Sequence, residues 1–282
     1  MALLLDGREI SKSIRKTIED KVGSLGPDKP APSLAIVLAT KNASAASYVR
    51  IIKKAAAKLG ITASIIDLGE EVTHELLMNT VKTLALDSST NGIIIQTPVR
   101  EGIDIDEARS LIPLEKDIDG ANPLSAGKLF SKLESFAPAT ASAVIEILKH
   151  YNVELSGKHA VVIGRSRIVG KPVAHMLLDL GATVTICHSG TKDLIPHTTS
   201  ADVLVVAAGK IDLISDKHVT AKTVVIDVGT NFNSQQQLVG DVDFASVEKV
   251  VKAITPVPGG VGPVTTAILL RNTFEAYLKQ AA

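Results

Sequence analysis

The sequence predicts an α/β fold of two three-layer domains flanking a cleft, the second of them a Rossmann-type dinucleotide-binding domain. Short apolar runs alternate with amphipathic helical stretches, and the alternation resumes after residue 140 as a second set. The strand runs are almost continuously apolar, which is typical of parallel strands buried between two layers of helices. A chain of 282 residues is long enough for two such cores.

The first domain begins with a helix over residues 7–24, which a proline-rich segment separates from the first strand. Strands and helices then alternate over residues 33–39, 46–61, 61–68, 73–87 and 91–99, beginning and ending with a strand. We expect this domain to comprise residues 1–139, with the C-terminal helix 265–282 packing back on it. The expected role of this domain is described below, after the motifs that indicate it.

The second domain, expected over residues 140–264, repeats the pattern around a glycine-rich connection. Its predicted helices lie at 140–151 and 171–181, and its predicted strands lie at 159–164, 183–189, 201–209 and 222–229. A stiff loop of prolines and glycines at 255–263 leads into a strongly periodic helix that begins at Thr265.

Composition and charge exclude several classes of partner. The 30 basic residues balance the 30 acidic ones, so no overall field indicates nucleic acid or a membrane surface. The single cysteine, Cys187, excludes an intrachain disulfide, and no cysteine and histidine cluster has zinc-ligand spacing, so no metal is expected. The first residues lack the pattern of a secretory signal, and no apolar run approaches the roughly 18 residues of a membrane span. We therefore expect a cytoplasmic protein.

The stretch VVIGRSRIVGKP indicates a dinucleotide site. It places Gly164 after a buried strand and Gly170 at the start of a helix, where glycine lets the backbone approach a phosphate and helix amides can bind it. The match to G-x-G-x-x-G is imperfect, because Ser166 occupies the place of the middle glycine and the loop is one residue longer. A plain strand-to-helix turn is therefore the alternative interpretation.

The end of the next predicted strand favours NADP over NAD. A free ribose 2′-hydroxyl is usually met by an acidic residue about twenty residues past the first glycine. Here that place reads CHSGT, with Ser189 and no acid, while Arg165 and Arg167 lie in the glycine loop. Hydroxyl and guanidinium donors suit a 2′-phosphate. The alternative is that the arginines are solvated surface charges.

The motifs QTPV, KDIDG, GRSRIVGKP, CHSGT and TPVPGGVGPVTT occur in this order, and with them the sequence resembles the methylenetetrahydrofolate dehydrogenase/cyclohydrolase family of the bacterial FolD type. The resemblance covers nearly the whole chain. It implies NADP bound to the second domain, a tetrahydrofolate derivative bound to the first, and usually a homodimer. The implied activity is oxidation of 5,10-methylene- to 5,10-methenyltetrahydrofolate, followed by hydrolysis to 10-formyltetrahydrofolate.

The resemblance also implies site residues. Asp119 would accept the two adjacent N–H donors of the pterin, a pair that suits a carboxylate. The alternative is that Asp119 is a turn residue, because aspartate beside glycine is common in turns. We interpret Asp117 as such a turn residue. Tyr48 would cover the folate ring, unless it only packs in the core, and Gln96 matches the partner of the family's catalytic lysine. The implied substrate-lining positions are Pro256, Gly259 and Gly260, and the cofactor positions are Gly164, Arg165, Ser166, Ser189 and Thr230.

One position departs from the family at the place of that lysine. The family pattern is Y-x-x-x-K-x-K-A, and here Tyr48 is followed by Ile52 where the first lysine is expected. Because Gly60 keeps its spacing from the tyrosine, no gap can restore the lysine. Residues four apart share a helix face, whereas Lys53 and Lys54 are turned about 100° and about 200° away from Ile52. We interpret these lysines as surface charges.

Three functions remain open. Isoleucine cannot move protons, so the first hypothesis is an NADP-dependent dehydrogenase whose cyclohydrolase step is lost or slowed by the roughly 10²- to 10⁴-fold typical of a missing acid–base group. The second is a fully bifunctional enzyme in which Lys53 or another base acts. The third is a non-catalytic paralogue that binds folate or NADP, because departures from the family, such as Thr97 for a leucine, cluster around the folate.

Overall fold

The chain is divided into two compact units in a computed structural model that describes residues 2–281. The six-stranded unit comprises the residues up to Lys12 together with Thr140–Thr265, and the three-stranded unit comprises Ser13–Ala139 and the residues from Thr266 onward. Each unit contains a parallel sheet with its helices. The predicted fold class, two α/β domains of which the second carries a Rossmann-type sheet, is confirmed.

Strands and helices alternate along the described chain. The strands are β1 Leu3–Leu4, β2 Ser33–Leu38, β3 Thr62–Asp67, β4 Gly92–Gln96, β5 His159–Ile163, β6 Thr183–Cys187, β7 Val203–Val206, β8 Val224–Asp227, β9 Asn231–Phe232, β10 Leu238–Val239 and β11 Ala253–Ile254. The helices are α1 Gly7–Gly23, α2 Ala43–Lys58, α3 His74–Leu86, α4 Ile105–Ser110, α5 Pro123–Phe130, α6 Ala139–His150, α7 Gly170–Asp179, α8 Ile195–Thr199, α9 Phe244–Val247 and α10 Val261–Gln280.

The sheet of the three-stranded unit has the order β3-β2-β4, and all its strands are parallel. The central strand β2 is buried along nearly its whole length, which explains its continuously apolar sequence. Leu38 pairs with both Asp67 and Gln96, so the carboxyl ends of the three strands meet at one edge. Helix α2 follows β2 after a short connection, and Asn42 begins it by accepting a hydrogen bond from the Ala45 amide at 2.9 Å.

A buried lysine caps the carboxyl end of helix α3 in this unit. The ammonium of Lys116, which is 6% exposed, donates to the carbonyls of Leu84, Ala85 and Asp87 at 3.3, 2.9 and 2.7 Å. The carboxyl end of a helix carries unpaired carbonyls and favours a cation. The Lys116 ammonium pairs these carbonyls and places a positive charge at the helix end. Burial lowers the pKa of Lys116.

The six-stranded sheet has the order β1-β11-β8-β7-β5-β6, again with parallel pairs. Ile163 at the end of β5 pairs with Cys187 of β6 and with Val206 of β7, and Val206 pairs with Asp227 of β8. The carboxyl ends of four strands therefore lie along one edge. Open parallel sheets of this kind bind their ligands outside the carboxyl ends of the strands.

The predicted strands are all present, each shorter than predicted. Strands β1, β9, β10 and β11 lie outside the predicted set, because two-residue strands carry no periodic signal. The expectation of a loop through residue 263 is wrong, since α10 already begins at Val261. Pro263 lies in the first turn of this helix, where its missing N–H leaves no helical hydrogen bond unmade. In the described part of the chain, no helix has both the length and the hydropathy needed to cross a bilayer.

Candidate active site

Tyr48 is the aromatic residue of helix α2 that the sequence assigns to the folate. Its side chain is half-buried, and its hydroxyl oxygen lies 3.4 Å from that of Thr266, where either group can donate. Burial raises the pKa of Tyr48 to about 12; the bond to Thr266 and the charge of Arg15 oppose this rise, and the charge of Asp119 adds to it. Tyr48 is therefore a neutral hydroxyl near pH 7 and cannot serve as a base there.

Arg15 of helix α1 interacts electrostatically with Tyr48. Burial lowers the pKa of the Arg15 guanidinium, and the nearby Tyr48 opposes that shift. Its Nε is buried and finds no hydrogen-bond acceptor among residues 2–281. An unpaired buried N–H is costly, and a bound ligand can supply the acceptor. Arg15 does not stand out in the sequence, since it looks like the other basic residues of an amphipathic helix.

Asp119 is a half-buried residue on the turn that follows helix α4 and Lys116. Burial raises the pKa of Asp119 to about 7, and the charge of Asp117 adds to this rise while Arg109 opposes it. Gly120 sets the local backbone: its φ is +60°, and a Cβ there would lie 2.5 Å from the Pro138 nitrogen. Near neutral pH, Asp119 is thus divided between its protonated and ionised forms.

The neighbouring Asp117 holds this turn together. It is 1% exposed, and its carboxylate accepts the amides of Ala121 and Asn122, each at 3.0 Å, and the Ser125 hydroxyl at 2.6 Å. The interpretation of Asp117 as a turn residue is confirmed. All three donors lie in the few residues that follow Asp119. Asp117 therefore fixes the backbone conformation of the segment that carries Asp119.

Gln96 ends strand β4 and is half-buried. Its Nε2 donates to the backbone carbonyl of Thr97 at 2.8 Å. The structure places Gln96 in the same unit as Tyr48 and Asp119, but within residues 2–281 no side-chain hydrogen bond joins these three residues to one another. Their proposed joint role therefore depends on a ligand that each of them contacts.

Ile52 lies on the fully apolar face of helix α2. Its side chain is 0% exposed and is buried together with Val49 and Ala56. Lys53 and Lys54 are exposed, so the prediction that they are surface charges is confirmed. The helix presents no ammonium group on the face that Ile52 occupies.

The glycine loop of the six-stranded unit is built from bare backbone. Gly164 has φ +120°, and a Cβ there would lie 2.2 Å from the carbonyl oxygen of Ala207. A Cβ on Gly170, the first residue of α7, would lie 2.2 Å from the carbonyl oxygen of Gly164. Both positions exclude any side chain, so glycine lets the loop after β5 pack against the end of β7 and the start of α7.

Ser166, predicted to contact the cofactor, also caps helix α7. Its Oγ accepts the amides of Val169 and Gly170 at 3.2 and 3.3 Å. This satisfies amides that Val169, the residue before the helix, cannot reach with its own side chain. Both bonds use the oxygen as acceptor, which leaves the hydroxyl hydrogen able to bond to a ligand. Arg165 beside it is exposed.

Ser189 lies on the tight turn that follows β6 and is exposed. The turn is closed by the His188 amide, which donates to the Thr191 hydroxyl at 3.0 Å, and it is joined to the glycine loop by the Gly164 amide, which donates to the Cys187 carbonyl at 2.9 Å. Cys187 is 1% exposed, and burial raises the pKa of its thiol. Arg165 and Ser189 are therefore carried by adjacent loops at one sheet edge.

The remaining predicted positions also lie in the six-stranded unit. Thr230 is exposed and follows β8 at the same sheet edge. The loop after β11 is tightly folded: Gly259 has φ +121°, and a Cβ on Gly260 would lie 2.7 Å from the carbonyl oxygen of Pro256. The Gly7 amide donates to the Gly259 carbonyl at 2.9 Å, which fixes this loop against the start of α1.

Comparison with known proteins assigns the chain to a family. Residues 5–119 match the catalytic domain of tetrahydrofolate dehydrogenase/cyclohydrolase, and residues 138–281 match the NAD(P)-binding domain of the same proteins. The chain belongs to the tetrahydrofolate dehydrogenase/cyclohydrolase family. The two matches together cover most of the chain, as the sequence resemblance implied.

Members of this family resemble the chain over nearly its full length. It is 48% identical to the bifunctional protein FolD 1 of Saccharopolyspora erythraea over 272 residues, which cover 96% of this chain and 93% of the relative. The bifunctional FolD dehydrogenase/cyclohydrolase structure from Campylobacter jejuni superposes with a TM-score of 0.95 at 40% identity, covering 99% of both chains. The Trypanosoma brucei FolD structure, complexed with NADP and an inhibitor, gives 0.94 at 37% identity and covers 99% of this chain and 98% of that one.

The six-stranded unit fits the dinucleotide that the family binds. The segment that matches the family's NAD(P)-binding domain contains Gly164 and Gly170, which pack the glycine loop against the first turn of α7, and the amides at that helix start suit a phosphate-bearing group. In the described residues, no group of three or more histidine, cysteine or acidic side chains is arranged to hold a metal ion.

Proposed function

We propose that this family member oxidises 5,10-methylenetetrahydrofolate to 5,10-methenyltetrahydrofolate with NADP, and that hydrolysis of the methenyl product is impaired or absent. The observation that carries the second half is the fully buried isoleucine at position 52, with the adjacent Lys53 and Lys54 exposed on other faces of the helix. The proposed oxidation is supported by the glycine loop and by membership of the family.

The oxidation asks little acid–base chemistry of the chain. Bound NADP supplies the acceptor for the hydride that leaves the methylene carbon with its bonding electrons, so the product is a cation and no proton is removed. The work of the protein is to hold and orient the folate. Ionised Asp119 would accept the two adjacent N–H donors of the pterin, and the ring of Tyr48 would pack on its face.

The cofactor would be held by loops at the carboxyl edge of the six-stranded sheet. The backbone at Gly164 and the first amides of α7 suit the pyrophosphate. The exposed Arg165 and the hydroxyls of Ser166 and Ser189 suit a ribose 2′-phosphate, and Thr230 lies on the same edge. No acidic residue on the turn after β6 opposes that phosphate.

The hydrolysis makes a different demand. Water must add to the methenyl carbon and lose a proton, a step that needs a titratable group tuned near neutral pH. In the family pattern that group is the lysine four residues after Tyr48, and Ile52 has no proton to give or accept. With a buried hydrocarbon in its place the oxidation can still proceed, because hydride transfer requires no ammonium.

The test of the oxidation is direct. Methylenetetrahydrofolate and NADP are mixed with the protein, and the growth of methenyl absorbance and of NADPH fluorescence is followed, with NAD as the comparison. We expect both signals to grow with NADP. Binding of NADPH without either signal would instead establish a non-catalytic binding protein.

A second candidate is the fully bifunctional enzyme, and Asp119 is the observation that favours it. Its pKa of about 7 is that of a general base poised for neutral pH. The parent chain is incubated with methenyltetrahydrofolate, and the loss of its absorbance is compared with the spontaneous rate. A rate far above background that falls in Asp119→Asn at saturating substrate would establish this candidate and reject impaired hydrolysis.

We also propose that the protein is cytoplasmic and, on the family resemblance alone, that it is a homodimer. Light scattering coupled to size-exclusion chromatography measures the mass directly. We expect twice the mass of one chain, and a single-chain mass across the concentration range would reject the dimer.

A further inference from the structure

Two buried carboxylates lie at the carboxyl edge of the six-stranded sheet, and the proposed function uses neither. Asp227 ends strand β8 and is 3% exposed, and Asp241 follows strand β10 and is 0% exposed. In the described residues, neither carboxylate is paired with a lysine or arginine. Buried carboxylates without a cation are costly unless several hydrogen bonds compensate them.

Asp227 holds the backbone around Asp241. Its Oδ1 accepts the amides of Gly229 and Asp241 at 2.9 and 3.0 Å, and its Oδ2 accepts the amide of Val242 at 3.0 Å. A Cβ on Gly240 would lie 1.8 Å from Oδ2, so the chain approaches this carboxylate as closely as only glycine permits. Asp227 therefore fixes the backbone position of Asp241.

Asp241 in turn collects four N–H donors from two other segments. Its Oδ2 accepts the amides of Ala208 and Gly209 at 2.6 and 2.9 Å. Its Oδ1 accepts the amide of Lys210 and the side-chain amide of Asn231, each at 2.8 Å. Three successive amides that converge on one anion form the kind of concavity that binds phosphate elsewhere, but here the anion is part of the chain.

These segments border the candidate cofactor site. Residues 208–210 follow β7 directly after Ala207, whose carbonyl oxygen is the atom that a Cβ on Gly164 would meet at 2.2 Å. Asn231 directly follows Thr230, one of the predicted cofactor positions. A single carboxylate thus fixes two of the loops at the sheet edge where dinucleotides bind.

We propose that Asp241, itself held by Asp227, is a positioning residue of the cofactor site: its carboxylate sets the loop 208–210 and the turn at Thr230 in the conformation that accepts the dinucleotide. This inference rests on the proposed use of NADP. An asparagine at position 241 keeps the shape but replaces one oxygen by an NH₂ group, which faces N–H donors and cannot accept them. The loops would then lose their common anchor.

The experiment measures NADPH binding without catalysis. NADPH fluorescence is titrated with the parent, Asp241→Asn and Asn231→Ala, and the melting temperature of each is recorded. We expect the dissociation constant to rise at least about tenfold in Asp241→Asn and a few-fold in Asn231→Ala, which removes only one of the four donors. The folate KM at saturating NADP should stay at the parent value.

The matched control is Asp202→Asn at the opposite edge of the same sheet. Asp202 also accepts a backbone amide, from His159 at 2.9 Å, and also lies in the six-stranded unit. We expect it to lower the melting temperature without changing NADPH affinity. The inference is overturned if NADPH affinity is unchanged in both Asp241→Asn and Asn231→Ala, whatever their stability; should Asp241→Asn not fold, Asn231→Ala alone decides. A parent that binds no NADPH would instead reject the proposed cofactor.

Discussion

The two units build their candidate sites from different material. In the six-stranded unit the critical surface is backbone, in a loop whose tight packing requires Gly164 and Gly170. In the three-stranded unit the critical groups are side chains whose protonation is shifted by burial, Asp119 and Tyr48. A backbone site fails when an added side chain intrudes or when its loops lose their anchor, whereas a side-chain site can lose one chemical step through a single replacement, as proposed for Ile52.

The largest expected effect is on hydrolysis, in Ile52→Lys. An amine at this position should raise the rate of methenyltetrahydrofolate hydrolysis by about 10²- to 10⁴-fold, the usual contribution of an acid–base group. The new ammonium would be introduced where the parent side chain is 0% exposed, so the melting temperature should fall. Stopped-flow absorbance at a temperature well below the melt measures the rate.

Two variants separate charge and position in this test. Ile51→Lys adds an ammonium one residue earlier, at a side chain that is 54% exposed, and Ile52→Met keeps position 52 apolar. Neither should accelerate hydrolysis. An acceleration in Ile51→Lys equal to that in Ile52→Lys would show that the face of the helix does not matter.

The next effect tests the backbone site with Gly164→Ala. The added methyl group meets the Ala207 carbonyl at 2.2 Å, and φ at +120° is strained for alanine, so the loop must move. We expect the NADPH dissociation constant to rise about 10²-fold, on the order of 3 kcal/mol, in a fluorescence titration. Gly157→Ala is the control, because its φ of +73° is also unfavourable for alanine while nothing lies within 4 Å; it should lose some stability and keep NADPH affinity.

The third effect concerns pH and the folate. Asp119 with a pKa of about 7 is mostly protonated at pH 6 and mostly ionised at pH 8. If only the ionised carboxylate accepts the pterin donors, the folate KM should fall about tenfold between these pH values, in proportion to the competent fraction. Initial rates at saturating NADP give this profile. An equally steep profile in Asp119→Asn would assign the titration to another group.

The smallest effect is on stability, again at Asp119. A pKa raised from its usual value near 3.8 to about 7 means that folding favours the protonated form, so this stability is lost as pH rises to and through 7. Asp119→Asn should therefore melt higher than the parent at pH 8, by about 2–4 °C if the gain is roughly 1 kcal/mol. At pH 4 the two should melt alike. A variant that melts lower at pH 8 would contradict the burial cost.

Features with a local pattern could be predicted from the sequence. The apolar runs predicted the strands of both sheets, and the central strands β2, β7 and β8 are buried on both faces. Helical phase correctly separated Ile52 from Lys53 and Lys54, because burial in α2 follows the 3.6-residue period. The glycine loop was recognisable from the spacing of its glycines, although the contact that requires Gly164 is with Ala207, far along the chain.

Features that depend on residues far apart in the chain could not be predicted. Lys116 looks like a surface lysine until folding places it at the end of α3, about thirty residues earlier in the chain. In the sequence Asp241 looks like a turn aspartate, yet its carboxylate accepts the backbone amides of residues 208–210. Arg15 and Tyr48 interact across more than thirty positions, and no local spacing encodes that pairing. The joint arrangement of Tyr48, Gln96 and Asp119 around a ligand stays a prediction.

The concealment of Cys187 makes the chain a convenient scaffold for spectroscopic labelling. Its only thiol is 1% exposed and has a raised pKa, so a maleimide dye should react with it slowly. A cysteine introduced at an exposed position such as Ile51 would then be a single attachment point. Pairs of such cysteines, one in each unit, would report inter-unit distances by energy transfer as NADP is added, without first removing a native thiol.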